Sequence, residues 1–136
     1  MVKISDLKEG DIVRVLEEGV ERTGTVLEIT REDNMANIDN GIQDFWYSPD
    51  QIIPVPLTDH HLIQTLGFTK EEGPNGAAKY KKGPFRILVH DPGNYTNIEI
   101  WYREDHRHFF HPIHVNELQN HYLQMTKVPL EGVVTH

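Results

Sequence analysis

Hydrophobic and polar residues alternate in five short stretches of the first 53 residues, the pattern of half-buried β-strands. Turn sequences rich in glycine, aspartate and asparagine separate the stretches. A single helical turn is predicted at 48–50, just before the last stretch. The predicted strands are 12–16, 23–29, 35–38, 42–47 and 52–53. The first part of the chain is therefore predicted to form a five-stranded β-meander.

The order of these elements resembles that of small SH3-like barrels. It reads G-D-I-V-x-V, turn, G-x-V-x-x-I, hairpin, short helical turn and a final isoleucine strand. In SH3-like barrels the second strand begins with a glycine and is bent, and Gly24 stands at the matching position. A plain five-stranded meander would have the same pattern and remains the alternative.

The segment after the meander, PVPLTDHHLIQTLGF, predicts a short helix over 58–66. Two prolines end the preceding strand, and Thr58 stands where a side chain can cap the first helical turn. Gly67 follows as the residue that adopts the left-handed conformation at a helix end. The residues expected on the apolar face are Leu62, Ile63 and Leu66.

The second half predicts an antiparallel meander followed by a helix over 114–126. An exposed polar loop is expected at 70–76. Predicted strands cover 78–82, 85–90, 98–102 and 106–111. The apolar arc of the helix comprises Val115, Leu118, Tyr122 and Met125. The whole chain is thus predicted to be α+β, with parts 1–53 and 54–136 that either form two domains or pack as one.

The amino-acid composition excludes several classes of function. The 136 residues are 38% hydrophobic with a net charge of −8, which suits a globular protein and opposes binding to duplex nucleic acid. Cysteine is absent, which excludes disulfide and thiolate chemistry. No apolar run is long enough for a membrane span, and the N-terminus lacks an apolar signal core. The expectation is a cytoplasmic protein that needs no membrane and no cofactor.

Aromatic residues are the first candidates for a binding surface. Phe45, Trp46 and Tyr47 are consecutive on a predicted strand, so Trp46 should face away from its two neighbours. Such a surface could receive a peptide or a base, but large aromatic side chains more often fill a core. Trp101, on a predicted strand of the second half, is the fourth candidate.

Histidines are the second group of candidates, because the chain has nine of them. His106 and His108 should share one strand face. On the following helix, His114, Glu117 and His121 should share one side, and histidine with carboxylate can bind Zn²⁺. The simpler interpretation is that these five residues, like His111, lie at the surface. We expect no metal there, because Pro112 favours a splayed entry into the helix.

Two motifs carry a further resemblance. PLTDHHLIQTLGF, a turn-separated meander and HVNELQNHYLQMT are similar to segments of small uncharacterised proteins encoded in phages and mobile elements of Bacteroides-type bacteria. Asn116 stands where that family usually has histidine. The resemblance implies the architecture and a mobile-element origin, but no activity.

These observations favour a non-enzymatic protein that acts as an interaction or structural accessory factor of a phage or mobile element. Its protein partner is unknown, and a homodimer is left open. No catalytic residues are expected. The alternative is a metal-dependent or nucleic-acid-associated protein that uses the histidines from His106 to His121.

Overall fold

A computed structural model describes residues 2–134 and shows an α+β architecture. Two five-stranded antiparallel sheets are present, together with one α-helix near the C-terminus of the described residues. The described residues divide into two compact units, the first made of residues 2–55 together with Val134 and the second of Pro56–Val133. Among residues 2–134, no helix is both long enough and apolar enough to cross a membrane.

The first unit contains one sheet, whose strands are β1 (Ile12–Glu17), β2 (Val20–Thr30), β3 (Met35–Asp39), β4 (Asp44–Tyr47) and β5 (Ile52–Ile53). Their order in the sheet is β4-β3-β2-β1-β5. Single turns of 3-10 helix lie at Ile4–Asp6 and Pro49–Gln51. All five predicted strands are present. The fourth begins two residues later than predicted, because the Asn40 side-chain oxygen accepts the backbone N–H groups of Ile42 and Gln43 and holds them in a turn.

Gly24 allows β2 and β3 to approach closely. A Cβ at this position would lie 2.6 Å from Ile38 Cγ2 and 2.7 Å from the backbone oxygen of Asp39. The inner face of the sheet buries a compact set of apolar residues, namely Ile4, Leu7, Val13, Val15, Val26, Ala36, Ile38, Tyr47 and Ile52.

The second unit contains the other sheet, whose strands are β6 (Thr69–Glu72), β7 (Ala78–Lys82), β8 (Phe85–Val89), β9 (Ile98–Tyr102) and β10 (Asp105–Phe109). Their order in the sheet is β10-β9-β8-β7-β6. The α-helix α1 (Val115–Thr126) follows them. The predicted strand 106–111 is shifted, because pairing with β9 begins at Asp105 and ends at Phe109.

The expectation of a loop at 70–76 was wrong for 70–72, which form most of β6, whereas Pro74–Gly76 form a single exposed 3-10 turn. All four residues of β6 are exposed, so they show no alternation of apolar and polar positions. Glu71 instead lies 3.4 Å from Lys79 and 3.3 Å from Lys81 on the neighbouring strand. Cross-strand charge pairs and backbone pairing therefore stabilise an edge strand that a hydrophobic pattern cannot indicate.

The predicted helix 58–66 is present, but most of it is π-helical. The Thr58 hydroxyl caps its start by accepting the His61 N–H at 3.3 Å, as predicted. The segment His61–Thr65 has the wider turn, because Leu66 N–H donates to the oxygen of His61 rather than to that of Leu62. Gly67 has the predicted positive φ, 77°.

Helix α1 follows the predicted helix 114–126 within one residue, with His114 as its N-cap. Val115 and Leu118 of its apolar arc are completely buried, and the Tyr122 ring lies 4.7 Å from that of Phe85 on β8. Asn116 is also buried, although the pattern placed it off the apolar arc.

The segment that follows α1 is held in place as far as Val133. Val133 N–H donates to the oxygen of Thr65, and the Gln119 side chain donates to the oxygen of Leu130, which is buried. These hydrogen bonds join the end of the second unit to its own helical segments.

Alternation gives the second sheet two different faces. The inner face is apolar and completely buried at Tyr80, Phe85, Ile87, Val89, Ile98 and Ile100. The opposite face, called the outer face below, carries the intervening residues Lys79, Lys81, Arg86, Leu88, Glu99, Trp101, His106 and His108. Cationic, aromatic and imidazole side chains therefore share one surface.

Candidate functional site

Strand register arranges the outer face in two rows that run across the sheet. One row joins Leu88 of β8, Glu99 of β9 and His108 of β10. The other joins Arg86, Trp101 and His106 on the same three strands. Directly opposed side chains on adjacent strands lie about 5 Å apart, so each row forms a continuous strip.

A cavity of about 420 Å³ opens at Trp101. We call it the Trp101 pocket. Apolar and cationic groups line it together, namely Pro74, Lys79, Pro84, Arg86, Leu88, Trp101 and Arg103. Its volume falls within the range of about 300–1,000 Å³ that small-molecule sites occupy. An indole ring with cations beside it suits a ligand that has a flat apolar part and a negative part.

Two of the three cations in the Trp101 pocket are not neutralised. Lys79 lies 3.4 Å from Glu71 and is partly compensated. Neither Arg86 nor Arg103 forms an ion pair with a carboxylate among residues 2–134. The Arg103 guanidinium lies 5.1 Å from the centre of the Tyr102 ring, and this contact leaves its charge intact. The pocket therefore has a net positive charge within a strongly acidic protein.

Stacked rings extend the surface beyond the pocket. His106 stacks on Trp101 with ring centres 4.8 Å apart and planes 22° from parallel. His108 lies 4.1 Å from Phe110, whose side chain is 72% exposed. Exposed flat rings next to arginine side chains are the groups that bind unpaired bases in single-stranded nucleic acids.

Glu99 is the centre of a second arrangement on the outer face. His90, just after β8, contacts Glu99 Oε2 through Nε2, and His106 Nε2 lies 2.9 Å from Glu99 Oε1. His108 Nδ1 lies 3.8 Å from Oε1. Burial acts to raise the pKa of Glu99, but the bonds from His90 and His106 and the charge of His108 outweigh it and lower that pKa. Glu99 is therefore a carboxylate at neutral pH.

The histidines predicted as an alternative metal set are divided by the sheet. His106 and His108 lie on the outer face. Arg107 stands between them in β10 and therefore faces the other side of the sheet, where it donates a 2.7 Å hydrogen bond to His121. Burial, followed by the charge of Arg107, lowers the pKa of His121 and keeps it neutral. The structure therefore does not bring the five predicted residues together.

His114 and Glu117, the other two members of that set, have a local role. Glu117 Oε1 accepts the backbone N–H of His114 at 2.9 Å, and the two side chains form a capping box at the start of α1. His111 is exposed, with Nδ1 3.0 Å from the oxygen of Pro112.

Sequence reasoning missed His90 and Glu99. Glu99 alternates with Ile98 and Ile100, so its position opposite the apolar face could have been predicted. Its partners could not, because they depend on the register of β8, β9 and β10. His90 is the last residue of the predicted strand 85–90, and the sequence pattern indicates no further role for it.

The predicted aromatic candidates of the first unit have different environments. Trp46 is 43% exposed and Phe45 is 40% exposed, whereas Tyr47 is buried. The Tyr47 hydroxyl accepts a 3.0 Å hydrogen bond from Asn40 and donates to Glu17 at 3.1 Å. Tyr47 is thus a core residue, and Phe45 and Trp46 remain candidates for binding.

Comparisons with models of protein families, with curated proteins and with solved structures found no match for this chain. The resemblance to small phage and mobile-element proteins therefore stays a prediction.

Proposed function

We propose that the second unit binds nucleotide units, meaning a flat base that carries a phosphate, through the Trp101 pocket. The observation that carries this proposal is the uncompensated pair of arginines, Arg86 and Arg103, beside the indole of Trp101. The indole offers a stacking surface for a base. The two guanidinium groups offer fork-shaped donors that match phosphate oxygens.

Among ligands that contain nucleotide units, single-stranded nucleic acid fits this surface best. Stacked rings continue from Trp101 to His106, and the His108–Phe110 pair lies on the adjacent row. More than one base could therefore stack across β9 and β10. A free nucleotide would occupy the pocket alone, so the two sources differ in how affinity depends on ligand length.

The experiment is a fluorescence anisotropy titration with labelled single-stranded oligonucleotides, alongside calorimetry with a mononucleotide. Trp101→Ala should weaken binding of a short oligonucleotide by about 5- to 150-fold, the loss of one stacked base. Arg86→Ala should lower the slope of log affinity against log salt by about 0.7, the value for one phosphate contact on a single strand. Trp46→Ala is the matched control and should change neither quantity.

Each outcome of this experiment bears on the proposal. Affinity that rises with oligonucleotide length supports single-stranded nucleic acid, and affinity equal to that of a mononucleotide supports a free nucleotide. Binding that Trp101→Ala leaves unchanged, or an absence of binding to both ligands at low salt, would refute the proposal.

A second candidate function concerns the first unit, for which we propose an SH3-like barrel. The strand order β4-β3-β2-β1-β5, the 3-10 turn at Pro49–Gln51 before β5, and the close approach at Gly24 support this assignment. A protein-interaction role agrees with it, because Ile42 beside the edge strand β4 is 70% exposed and Trp46 on that strand is 43% exposed.

The partner proposed for this edge is a basic, extended segment of another protein. Residues 1–55 contain twelve acidic and only five basic side chains, which favours a cationic partner. An edge strand offers unpaired backbone groups to an added strand. A labelled peptide that alternates lysine with apolar residues should bind the wild type, and Trp46→Ala should abolish that binding while Trp101→Ala leaves it intact. Equal binding by wild type and Trp46→Ala would contradict the role.

A further inference from the structure

We propose that His90, Glu99 and His108, with His106 as a fourth ligand, bind one divalent transition-metal ion on the outer face of the second sheet. Zn²⁺ is the ion that imidazole nitrogens and one carboxylate suit best. None of the four ligands lines the Trp101 pocket, although His106 stacks on Trp101, and metal binding does not require nucleotide binding.

The geometry of the ligand atoms supports the site. One ligand atom from each of His90, Glu99 and His108 lies within 4.8 Å of the other two. In a tetrahedral zinc site with bonds of about 2.0–2.2 Å, ligand atoms are separated by about 3.4 Å. His108 Nδ1 and Glu99 Oε1 are already 3.8 Å apart, and His106 Nε2 is 2.9 Å from the same oxygen. The side chains are partly exposed, so rotation can lengthen the shorter of these separations and shorten the longer ones to fit the ion.

The strands that carry the ligands are already fixed by pairing. Glu99 and His108 are directly opposed on β9 and β10, and Leu88 opposes Glu99 on β8. His90 lies two residues beyond Leu88, on the same face, and its N–H still donates to the oxygen of Asn97 at 3.1 Å. The backbone therefore presents the ligands from adjacent strands before any metal binds, and little ordering is required.

Neighbouring groups fix the orientation of the ligand rings, as they do for metal-binding histidines in general. In the neutral form of His108 that binds a metal, Nε2–H donates to the Asn97 side-chain oxygen at 2.6 Å, and the unprotonated Nδ1 faces Glu99. Stacking on Trp101 fixes the ring plane of His106. A hydrogen bond to the second ring nitrogen that sets the tautomer is a regular feature of metal-binding histidines. Asn97 is therefore a positioning residue of the proposed site.

The test measures Zn²⁺ uptake by the full chain, purified without a polyhistidine tag, in competition with a chromophoric chelator. The wild type should bind one equivalent. Asn97→Ala should weaken binding by about 10- to 100-fold, as the loss of an orienting partner does. His90→Ala and His108→Ala should weaken it at least as much. His111→Ala, which removes an exposed histidine outside the site, should leave the affinity unchanged.

Further measurements distinguish a loss of zinc binding from a loss of folding and from a failure of nucleotide binding. Circular dichroism of each metal-free variant identifies any variant that fails to fold. Glu99→Gln, which removes the carboxylate ligand, is then measured in place of the unfolded variant. The visible spectrum of the Co²⁺-loaded wild type should show the intense bands of four-coordinate cobalt. Arg86→Ala, which removes a cation of the Trp101 pocket and none of the proposed ligands, should still bind zinc, so failure of nucleotide binding would not affect this conclusion. No saturable uptake by the wild type, or equal weakening by His111→Ala and His108→Ala, would overturn the proposal.

Discussion

At the scale of single residues, the buried carboxyl group of Asp11 makes the stability of the fold depend on pH. Its carboxylate has no solvent exposure, and burial raises its pKa to about 6, although Lys8 donates hydrogen bonds to both of its oxygens. Between pH 4 and pH 6 the folded protein therefore holds a proton that the unfolded chain has released. Stability should fall as pH rises through this window, by about 3 kcal/mol in total.

Asp11→Asn should remove this part of the pH dependence, because the amide has no charge to bury. Urea unfolding at pH 4, 5, 6 and 7 measures the effect. As pH rises, the free energy of unfolding of the variant should increase relative to that of the wild type. Parallel profiles for the two proteins would show that Asp11 titrates near its ordinary value.

The candidate site was only partly predictable at the residue scale. Trp101 was a candidate from the sequence, and strand alternation correctly separates it from Ile100. His90 and Glu99 were not candidates, since nothing within a single strand shows which residues oppose each other across a sheet. The sequence grouped His106 and His108 with His114 and His121 because they are near in the chain, whereas pairing with β9 places them beside Glu99.

At the scale of elements, two helical segments cover the inner face of the second sheet. Leu62 in the π-helical turn and Leu118 in α1 are both completely buried. Leu62→Ala and Leu118→Ala should each leave a cavity and lower the free energy of unfolding by about 2–5 kcal/mol. Thermal and urea unfolding measure this loss. Leu27→Ala, at a position that is 43% exposed, is the control and should change stability by less than about 1 kcal/mol.

The elements show where sequence patterns succeed and where they fail. Thr58 and Gly67 correctly marked the start and end of the first helical segment, because capping is a local property. The wider π-helical turn, in which Leu66 N–H donates to the oxygen of His61, is not indicated by any local preference. Strand β6 was missed because its stability comes from the charge pairs of Glu71 with β7 and not from apolar alternation.

At the scale of the whole molecule, charge is unevenly divided along the chain. Residues 1–55 contain twelve of the 21 acidic side chains, whereas eight of the 13 lysines and arginines come later. The net charge of −8 therefore arises almost entirely from the first 55 residues. The outer face of the second sheet can attract an anion even though the whole chain repels a phosphate backbone at long range.

This division predicts a preference for single strands over duplexes. Bases in a duplex are already stacked and paired, so they cannot enter the Trp101 pocket, and the phosphate backbone alone meets few uncompensated cations. A gel-shift assay with one sequence in single-stranded and duplex form should show binding of the single strand alone at physiological salt. Binding of the duplex with equal or higher affinity would contradict both the sequence-based expectation and the proposed site.

The most direct test of the central claim uses the two tryptophans, because Trp46 belongs to the first unit and Trp101 to the second. Each contributes one indole N–H signal to a ¹H–¹⁵N correlation spectrum, and Trp46→Phe assigns them. Titration with a short single-stranded oligonucleotide should shift the Trp101 signal progressively to saturation and leave the Trp46 signal in place. A Trp101 signal that stays fixed while other signals shift would contradict nucleotide binding at this pocket, as would a spectrum that does not change at all.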